Sequence, residues 1–283
     1  MLASLIIVFR EVFEAGLIVG IVLAATQGIA GRAAWLASGI GAGALGAAVL
    51  ALFAGVLAGA FAGAGQEVFN AAILVAAVLM LGWHQIWMAS HGRQMAGEMK
   101  AVGRDVALGR KSLFAMALVV GVAVLREGAE VVLFLYGIAA SGNEGWAALM
   151  LGGAIGIGLG ALVSFLLYRG LVAIPVARLF ALTGWLIALL AAGMAGQAAA
   201  VLAGVDLIPA WGYQVWDTSG LLPEASLPGR ALHALIGYSD RPMGVQLAAW
   251  LTVLTVLVTG ARLARGTAKS FNGERNEVGG VAR

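Results

Sequence analysis

Two short stretches of this sequence place acidic and basic side chains in otherwise apolar surroundings. The stretches "FREVFEAGLIVGI" (9–21) and "LREGAEVVLFLYGI" (125–138) both contain the pattern Arg-Glu-x-x-Glu. Because residues three and four apart share one face of a helix, each stretch would present two carboxylates with an Arg beside them. The charged residues are Arg10, Glu11 and Glu14 in the first copy and Arg126, Glu127 and Glu130 in the second.

The chemistry that these residues favour is cation binding. Together, four Glu and two Arg carry a net charge of −2. Carboxylate oxygens suit hard cations such as Mg²⁺, Ca²⁺, Mn²⁺ or Fe³⁺ and tolerate Fe²⁺. The Arg side chains would orient the carboxylates by bidentate pairing and would limit the affinity for the ion. A purely structural role is the alternative, but it pairs one Arg with one Glu and leaves the second Glu of each copy over.

The elements that must position these residues are membrane-spanning helices. Hydrophobic residues make up 61% of the 283 residues and charged residues 11%, with a mean hydropathy of +0.97. Soluble domains are about half apolar and about a quarter charged. The apolar runs are long enough to cross a bilayer as helices, and they do not alternate as the strands of a β-barrel would. The composition therefore predicts an all-α integral membrane protein and excludes a soluble domain.

Seven apolar segments predict seven transmembrane helices, the first of them retained because it lacks the basic start of a signal peptide. The segments are 2–26, 34–61, 67–89, 113–140, 146–168, 175–203 and 244–263. Most Lys and Arg residues lie after the first, third and fifth segments and in the C-terminal tail, whereas the other connections hold only Arg230 and Arg241. The positive-inside rule then places the N-terminus outside and the C-terminus inside the cytoplasmic (inner) membrane. This distribution explains why basic residues outnumber acidic ones, so we predict no nucleic-acid partner.

The two motifs also indicate an internal repeat. Three crossings separate the copies, so the second enters the membrane from the opposite side, as in the inverted repeats of transporters. A charge at the bilayer centre costs about 2.5–3.5 kcal/mol, so these charges must face each other or water. The predicted units are a first inverted half with a basic cytoplasmic loop (1–111), a second inverted half (112–203), an extracytoplasmic loop (204–243), and the seventh helix with a cytoplasmic tail (244–283).

Other polar residues carry weaker signals. Four residues could form an entry site on the outer side, with solvated surface as the alternative: Glu67, Asn70, Asp217 and His233. His84 and His91 are seven apart on one helix face, and we favour a helix-end and a loop histidine over metal ligands. The stretch "RALHALIGY" (230–238) predicts a short amphipathic helix. No HExxH motif or P-loop is present, so we predict a transporter and not an enzyme.

On these motifs, the sequence resembles the high-affinity iron permease family of oxidase-dependent iron transporters. The resemblance covers most of the chain and includes "QEVF" (66–69), "WM" (87–88) and "VWDTSGLLPEASLPGRALHALIGYSDRPMGVQ" (215–246). It implies seven helices and iron translocation, with iron as the transported substrate and no permanently bound cofactor. It also implies extracytoplasmic iron-binding or oxidase proteins as partners. The iron ligands that it implies are Glu11, Glu14, Glu127 and Glu130.

Departures from the family pattern concern the handling of the metal. Asn70 stands where a second Glu is common, Phe13 and Ala129 replace the usual Leu of each motif, and "MAGQAAAVLAG" (194–204) lacks the usual His and acidic residues. The sequence therefore leaves Fe²⁺, Fe³⁺ and another cation such as Pb²⁺ or Mn²⁺ open as the substrate. A membrane sensor that binds metal without transporting it, and a proton-coupled carrier of an organic cation, are the alternatives of other classes.

Overall fold

The computed structural model describes residues 1–60, 66–140, 145–170 and 176–280. Within these ranges, all regular secondary structure is α-helical. The helices are α1 (Leu2–Ala25), α2 (Arg32–Ala60), α3 (Gln66–Ala107), α4 (Leu113–Ala140), α5 (Trp146–Tyr168), α6 (Val176–Gly204), α7 (Leu227–Ile236) and α8 (Gly244–Gly280). The prediction of an all-α protein is confirmed for this part of the chain.

Five of the described helices, α2, α3, α5, α6 and α8, are long and apolar enough to cross a membrane. The helices α1 and α4 are of similar length, at 24 and 28 residues, but each carries the three charges of its Arg-Glu-x-x-Glu motif. Both α3 and α8 continue well beyond the predicted apolar segments. Their polar extensions were missed because an apolar run marks only the part of a helix that suits lipid.

The short helix α7 confirms the amphipathic helix predicted between the sixth and seventh apolar segments. It begins after Ser226, whose Oγ accepts a hydrogen bond from the backbone N–H of Gly229 at 3.1 Å, a typical N-cap. It ends at Gly237, which has the left-handed backbone conformation common at helix C-termini, with φ of 71°. Trp250 of α8 then donates a hydrogen bond to the carbonyl oxygen of Ile236 at 2.7 Å, which ties this end of α7 to the bundle.

Two helix pairs pack most extensively, α1 with α5 and α2 with α4. Glycines line both contacts: a Cβ atom added at Gly156 of α5 would lie 2.8 Å from the carbonyl oxygen of Leu5. A Cβ atom added at Gly43 of α2 would lie 2.5 Å from the carbonyl oxygen of Gly121. Residues without a side chain therefore let these backbones approach closely, and both charged helices are held by an adjacent glycine-lined helix.

The helix α3 packs against both charged helices, α1 and α4, and also against α6 and α8. Its residues Leu74, Ala77 and Leu81 are fully buried in the main hydrophobic core, together with Phe134 of α4. Positions 77, 81 and 84 share one helix face. The packing that buries Ala77 and Leu81 therefore also turns His84 towards the charged residues of α1 and α4.

Candidate metal centre

The structure brings the two Arg-Glu-x-x-Glu motifs together where α1 and α4 meet α3. Five of the six charged motif residues are buried, with Glu11 fully inaccessible to solvent. His84 of α3 is buried among them. The buried residues of this centre are Arg10, Glu11, Glu14, His84, Glu127 and Glu130. The sixth motif residue, Arg126, is half-buried at its edge.

Within α1, Arg10 pairs with both carboxylates of its own motif. Its Nε lies 2.8 Å from Oε1 of Glu14, and its Nη1 donates a hydrogen bond to Oε1 of Glu11 at 3.3 Å. With only 2% of its side chain exposed, Arg10 has no access to water as an alternative partner. A buried cation in this position depends strongly on its two carboxylates.

The α4 motif has the same pairing in a more open setting. Nε of Arg126 donates to Oε1 of Glu130 at 3.2 Å and lies 4.0 Å from Oε1 of Glu127. The Arg126 side chain is 40% exposed, and its guanidinium lies over the Trp87 ring, 4.9 Å from the ring centre. The two motifs therefore match in sequence but differ in how far their Arg is withdrawn from solvent.

His84 links the two motifs through α3. Its Nε2 lies 3.3 Å from Oε2 of Glu14, and its Nδ1 lies 2.7 Å from Oε2 of Glu130. The interpretation of His84 as an ordinary helix-end histidine is therefore wrong, because it is buried inside α3 and contacts an acid of each motif. His91 is exposed and outside the cluster, with Nδ1 2.8 Å from Oγ of Ser90, but it lies within α3 and not in the loop that the sequence predicted, because α3 extends to Ala107.

Side chains from α1, α3 and α4 converge on one small volume. One ligand atom from each of Glu11, His84, Glu127 and Glu130 lies within 4.8 Å of all the others. Each of these four residues has a buried atom without an aligned hydrogen-bond partner: Oε2 of Glu11, Glu127 and Glu130, and Nδ1 of His84. Buried polar atoms of this kind are costly unless a hydrogen bond or a cation satisfies them, so the arrangement suits a bound cation.

Glu14 occupies a different place from the other three acids. Its two oxygens face Arg10 and His84, and it is not among the side chains that converge within 4.8 Å. Pairing inside each helix therefore leaves unpartnered oxygens on Glu11 and Glu127. A purely structural role of the motifs does not account for these unpartnered carboxylate oxygens.

The structure contains one cavity beside the centre and another beside α7. A cavity of about 590 Å³ between α1, α2, α4 and α5 is mostly apolar and reaches Glu11 and Glu127. A second, of about 700 Å³, lies between the N-terminus, α6 and α7 and is lined by Gln197, Glu224 and His233 among others. The first connects the carboxylates to the space between the two glycine-lined helix pairs.

The four candidate entry residues lie outside the centre. Glu67 is exposed in the first turn of α3, and Asn70 is half-buried one turn later. Asp217 pairs with Arg241 at 3.1 Å, and hydrogen bonds from Ser219 lower the pKa of its carboxyl. His233 of α7 lies at the wall of the larger cavity. Among the described residues, these four do not form a metal-binding cluster.

His233 also contacts an acidic residue, Glu224. Nδ1 of His233 lies 3.1 Å from Oε1 of Glu224 and 2.7 Å from the carbonyl oxygen of Tyr238. The hydrogen bond from His233 lowers the pKa of Glu224, although partial burial opposes this effect. This pair fixes α7 to the loop before it.

Long apolar helices around a buried acidic centre define an all-α, multi-pass membrane protein. The sequence matches the family model described as "Iron permease FTR1 family" over residues 1–264, and the chain belongs to this family. The resemblance seen in its motifs is thereby confirmed.

Curated relatives match most of the chain. The "Ferrous iron permease EfeU" of Escherichia coli O6:H1 is 30% identical over 262 residues, covering 90% of this chain and 92% of the relative. The protein of the same description from Yersinia pestis is 30% identical over 250 residues, covering 86% of each chain. A relative from Escherichia coli strain K12, 30% identical over 263 residues, is described as a "Putative inactive ferrous iron permease EfeU". No solved structure matches this protein.

Proposed function

We propose that the protein is a permease that moves iron across the cytoplasmic membrane through the centre between α1, α3 and α4. The observation that carries this proposal is the convergence of Glu11, Glu127 and Glu130, each buried with an oxygen that has no aligned hydrogen-bond partner. Family membership supports iron as the cargo, and the relatives' descriptions name ferrous iron. A permease family also supports transport rather than catalysis.

The charge of the centre suits a cation that must both enter and leave. Its four Glu and two Arg carry a formal net charge of −2. Arg10 and Arg126 make the metal-free centre tolerable by pairing with the acids. They also keep the site from binding so tightly that the ion could not leave, which is what transport requires.

We further propose seven transmembrane helices, with 1–111 and 112–203 as inverted halves and α8 as the seventh span. The charges of α1 and α4 are compatible with crossing because five of the six are buried and face one another. Closely packed pairs join the two halves at matching positions, with the α1 and α4 residues offset by the same 116 positions as the motifs. The pairs are Gly152–Met1 and Gly156–Leu5 on one side, and Gly39–Ala117 and Gly43–Gly121 on the other.

The route to the centre follows from this topology. With the N-terminus outside and the C-terminus inside, residues 204–243 face the extracytoplasmic side, and the cavity of about 700 Å³ opens there. We propose that iron enters by this cavity past His233, after delivery by extracytoplasmic iron-binding or oxidase proteins. Glu67, Asn70 and Asp217 remain candidate entry residues on the same side.

Uptake of radioactive iron into proteoliposomes tests this proposal. The wild-type protein should accumulate iron, and Glu127→Gln should reduce uptake at least about tenfold, because it removes a converging charge without changing the side chain's shape. Glu98→Gln is a matched control, since Glu98 is exposed on α3 and bonds only to Gln94 at 2.9 Å among its described contacts.

The same assay separates the alternatives. Iron binding without accumulation by the wild-type protein would indicate a sensor, and uptake unaffected by Glu127→Gln would overturn the proposed site. Competition by Mn²⁺ or Pb²⁺ that exceeds competition by unlabelled iron would assign another cation. Transport of an organic cation that is insensitive to all metals would assign a proton-coupled carrier.

A further inference from the structure

We infer that His84 is a metal ligand of this centre through its Nδ1 atom, and that it makes the site select transition metals over Mg²⁺ and Ca²⁺. The inference rests on the proposed function and deepens it, since the sequence motifs alone offer only oxygen ligands. Its basis is the geometry of one buried histidine that lies between the two charged helices.

The position of His84 is that of a ligand. One of its ring nitrogens belongs to the group of four atoms that lie within 4.8 Å of one another, and its Nδ1 is 2.7 Å from Oε2 of Glu130. Metal–ligand bonds of about 2.1 Å place neighbouring ligand atoms about 3 Å apart. The observed spacing therefore matches two adjacent ligands of one ion.

The hydrogen bonding of the ring agrees with this role. Nε2 is within hydrogen-bond distance of Glu14, at 3.3 Å, and Glu14 is in turn held by Arg10. A proton on Nε2 leaves the lone pair of Nδ1 directed towards the converging carboxylates. Neither Nδ1 nor Oε2 of Glu130 has an aligned hydrogen-bond partner, despite their proximity.

Glu14 then acts as a positioning residue. Histidine ligands of metals commonly donate their second ring N–H to a carboxylate, which fixes the tautomer and the ring orientation. Arg10, Glu14 and His84 form such a chain here, with Nε of Arg10 2.8 Å from Glu14. The ligand set becomes three carboxylates from Glu11, Glu127 and Glu130 and one imidazole nitrogen.

This ligand set restricts the range of cations that the site would select. Imidazole suits iron, zinc, copper and nickel, whereas Mg²⁺ and Ca²⁺ prefer oxygen ligands alone. An all-carboxylate site would not discriminate against Mg²⁺ in this way, so His84 is the residue that determines specificity.

X-ray absorption spectroscopy of the iron-loaded protein tests the inference directly. The chain has three histidines, so a tag-free His91→Gln/His233→Gln double variant retains only His84. We expect outer-shell imidazole scattering from iron in the wild-type protein and in this double variant, and its loss in His84→Gln. Fe²⁺ affinity should fall at least about tenfold in His84→Gln, with a smaller change for Mg²⁺ and no change for either ion in His91→Gln.

The outcomes distinguish this inference from the function on which it rests. Iron uptake by the wild-type protein without imidazole scattering overturns the role of His84 and leaves the permease standing. Failure of the wild-type protein to bind iron overturns both. If His84→Gln does not fold, the double variant decides: imidazole scattering supports the inference, and its absence overturns it.

Discussion

Removing one acid from each motif should have unequal effects on stability, because the two Arg residues differ in exposure. The substitution Glu14→Gln leaves Arg10, 2% exposed, with only Glu11 as a charged partner at 3.3 Å. Breaking a buried ion pair costs about 3–5 kcal/mol when the other charge stays buried. Since Glu11 still pairs with Arg10, we expect a loss of about 2–4 kcal/mol in the free energy of unfolding.

The matching substitution Glu130→Gln should be milder. Arg126 is 40% exposed, lies 4.0 Å from Glu127 and stacks on Trp87, so its charge keeps other partners when Glu130 is neutralised. An ion pair with one exposed partner contributes less than a fully buried pair, so we expect a smaller loss than for Glu14→Gln. Both variants should nevertheless lose iron uptake, Glu130→Gln by removal of a converging carboxylate and Glu14→Gln by release of the His84 ring.

Reversible unfolding in mixed detergent micelles, followed by tryptophan fluorescence, measures this difference, since the chain has 8 Trp. Uptake is measured on the same preparations in proteoliposomes, with Glu98→Gln as the control. Equal destabilisation by the two substitutions, or a larger loss for Glu130→Gln, would refute the reasoning from exposure. Normal uptake by the folded Glu130→Gln variant would refute its place in the site.

Two further predictions concern helix packing and the segment before α8. Gly156→Leu should destabilise the fold by about 1–3 kcal/mol and reduce uptake, because its side chain would meet the α1 backbone. Gly158→Leu, which has no atom within 4 Å of its Cβ, should do neither, and equal effects in unfolding and uptake assays would contradict the packing. Because Glu224 has a lowered pKa, its pair with His233 stabilises the protein above the ordinary carboxyl pKa of 4.5 and loses that effect as the pH falls below it. Thermal unfolding between pH 6 and pH 3 should therefore show a smaller acid-induced decrease for Glu224→Gln than for the wild-type protein, and identical pH profiles would contradict this pairing.

The sequence was sufficient for the all-α membrane class and for the two charged motifs that the structure brings together. Both follow from strong local signals: long apolar runs, and charges that lipid cannot accommodate. The pattern of α7 was equally local, since Ser226 and Gly237 are ordinary helix caps. The division into two inverted halves stays a prediction, supported by the recurring glycine contacts.

His84 shows why the rest of the centre could not be predicted. No charge pattern surrounds it in α3, and whether it faces the motifs depends on the rotation of α3 against α1 and α4. That rotation is set by the packing of Ala77 and Leu81, which are ordinary apolar residues in the sequence. The different exposure of Arg10 and Arg126 has the same origin, because the two motifs are almost equivalent as sequence.

The most direct measurement is an anomalous-scattering map at the iron absorption edge from crystals of the wild-type protein grown with Fe²⁺. We predict one strong peak among Glu11, Glu127 and Glu130, next to Nδ1 of His84, and its loss in Glu127→Gln crystals. A map in which iron lies elsewhere, or in which these carboxylates pair only with Arg10 and Arg126 around no ion, would contradict a cation site at the meeting point of the two motifs.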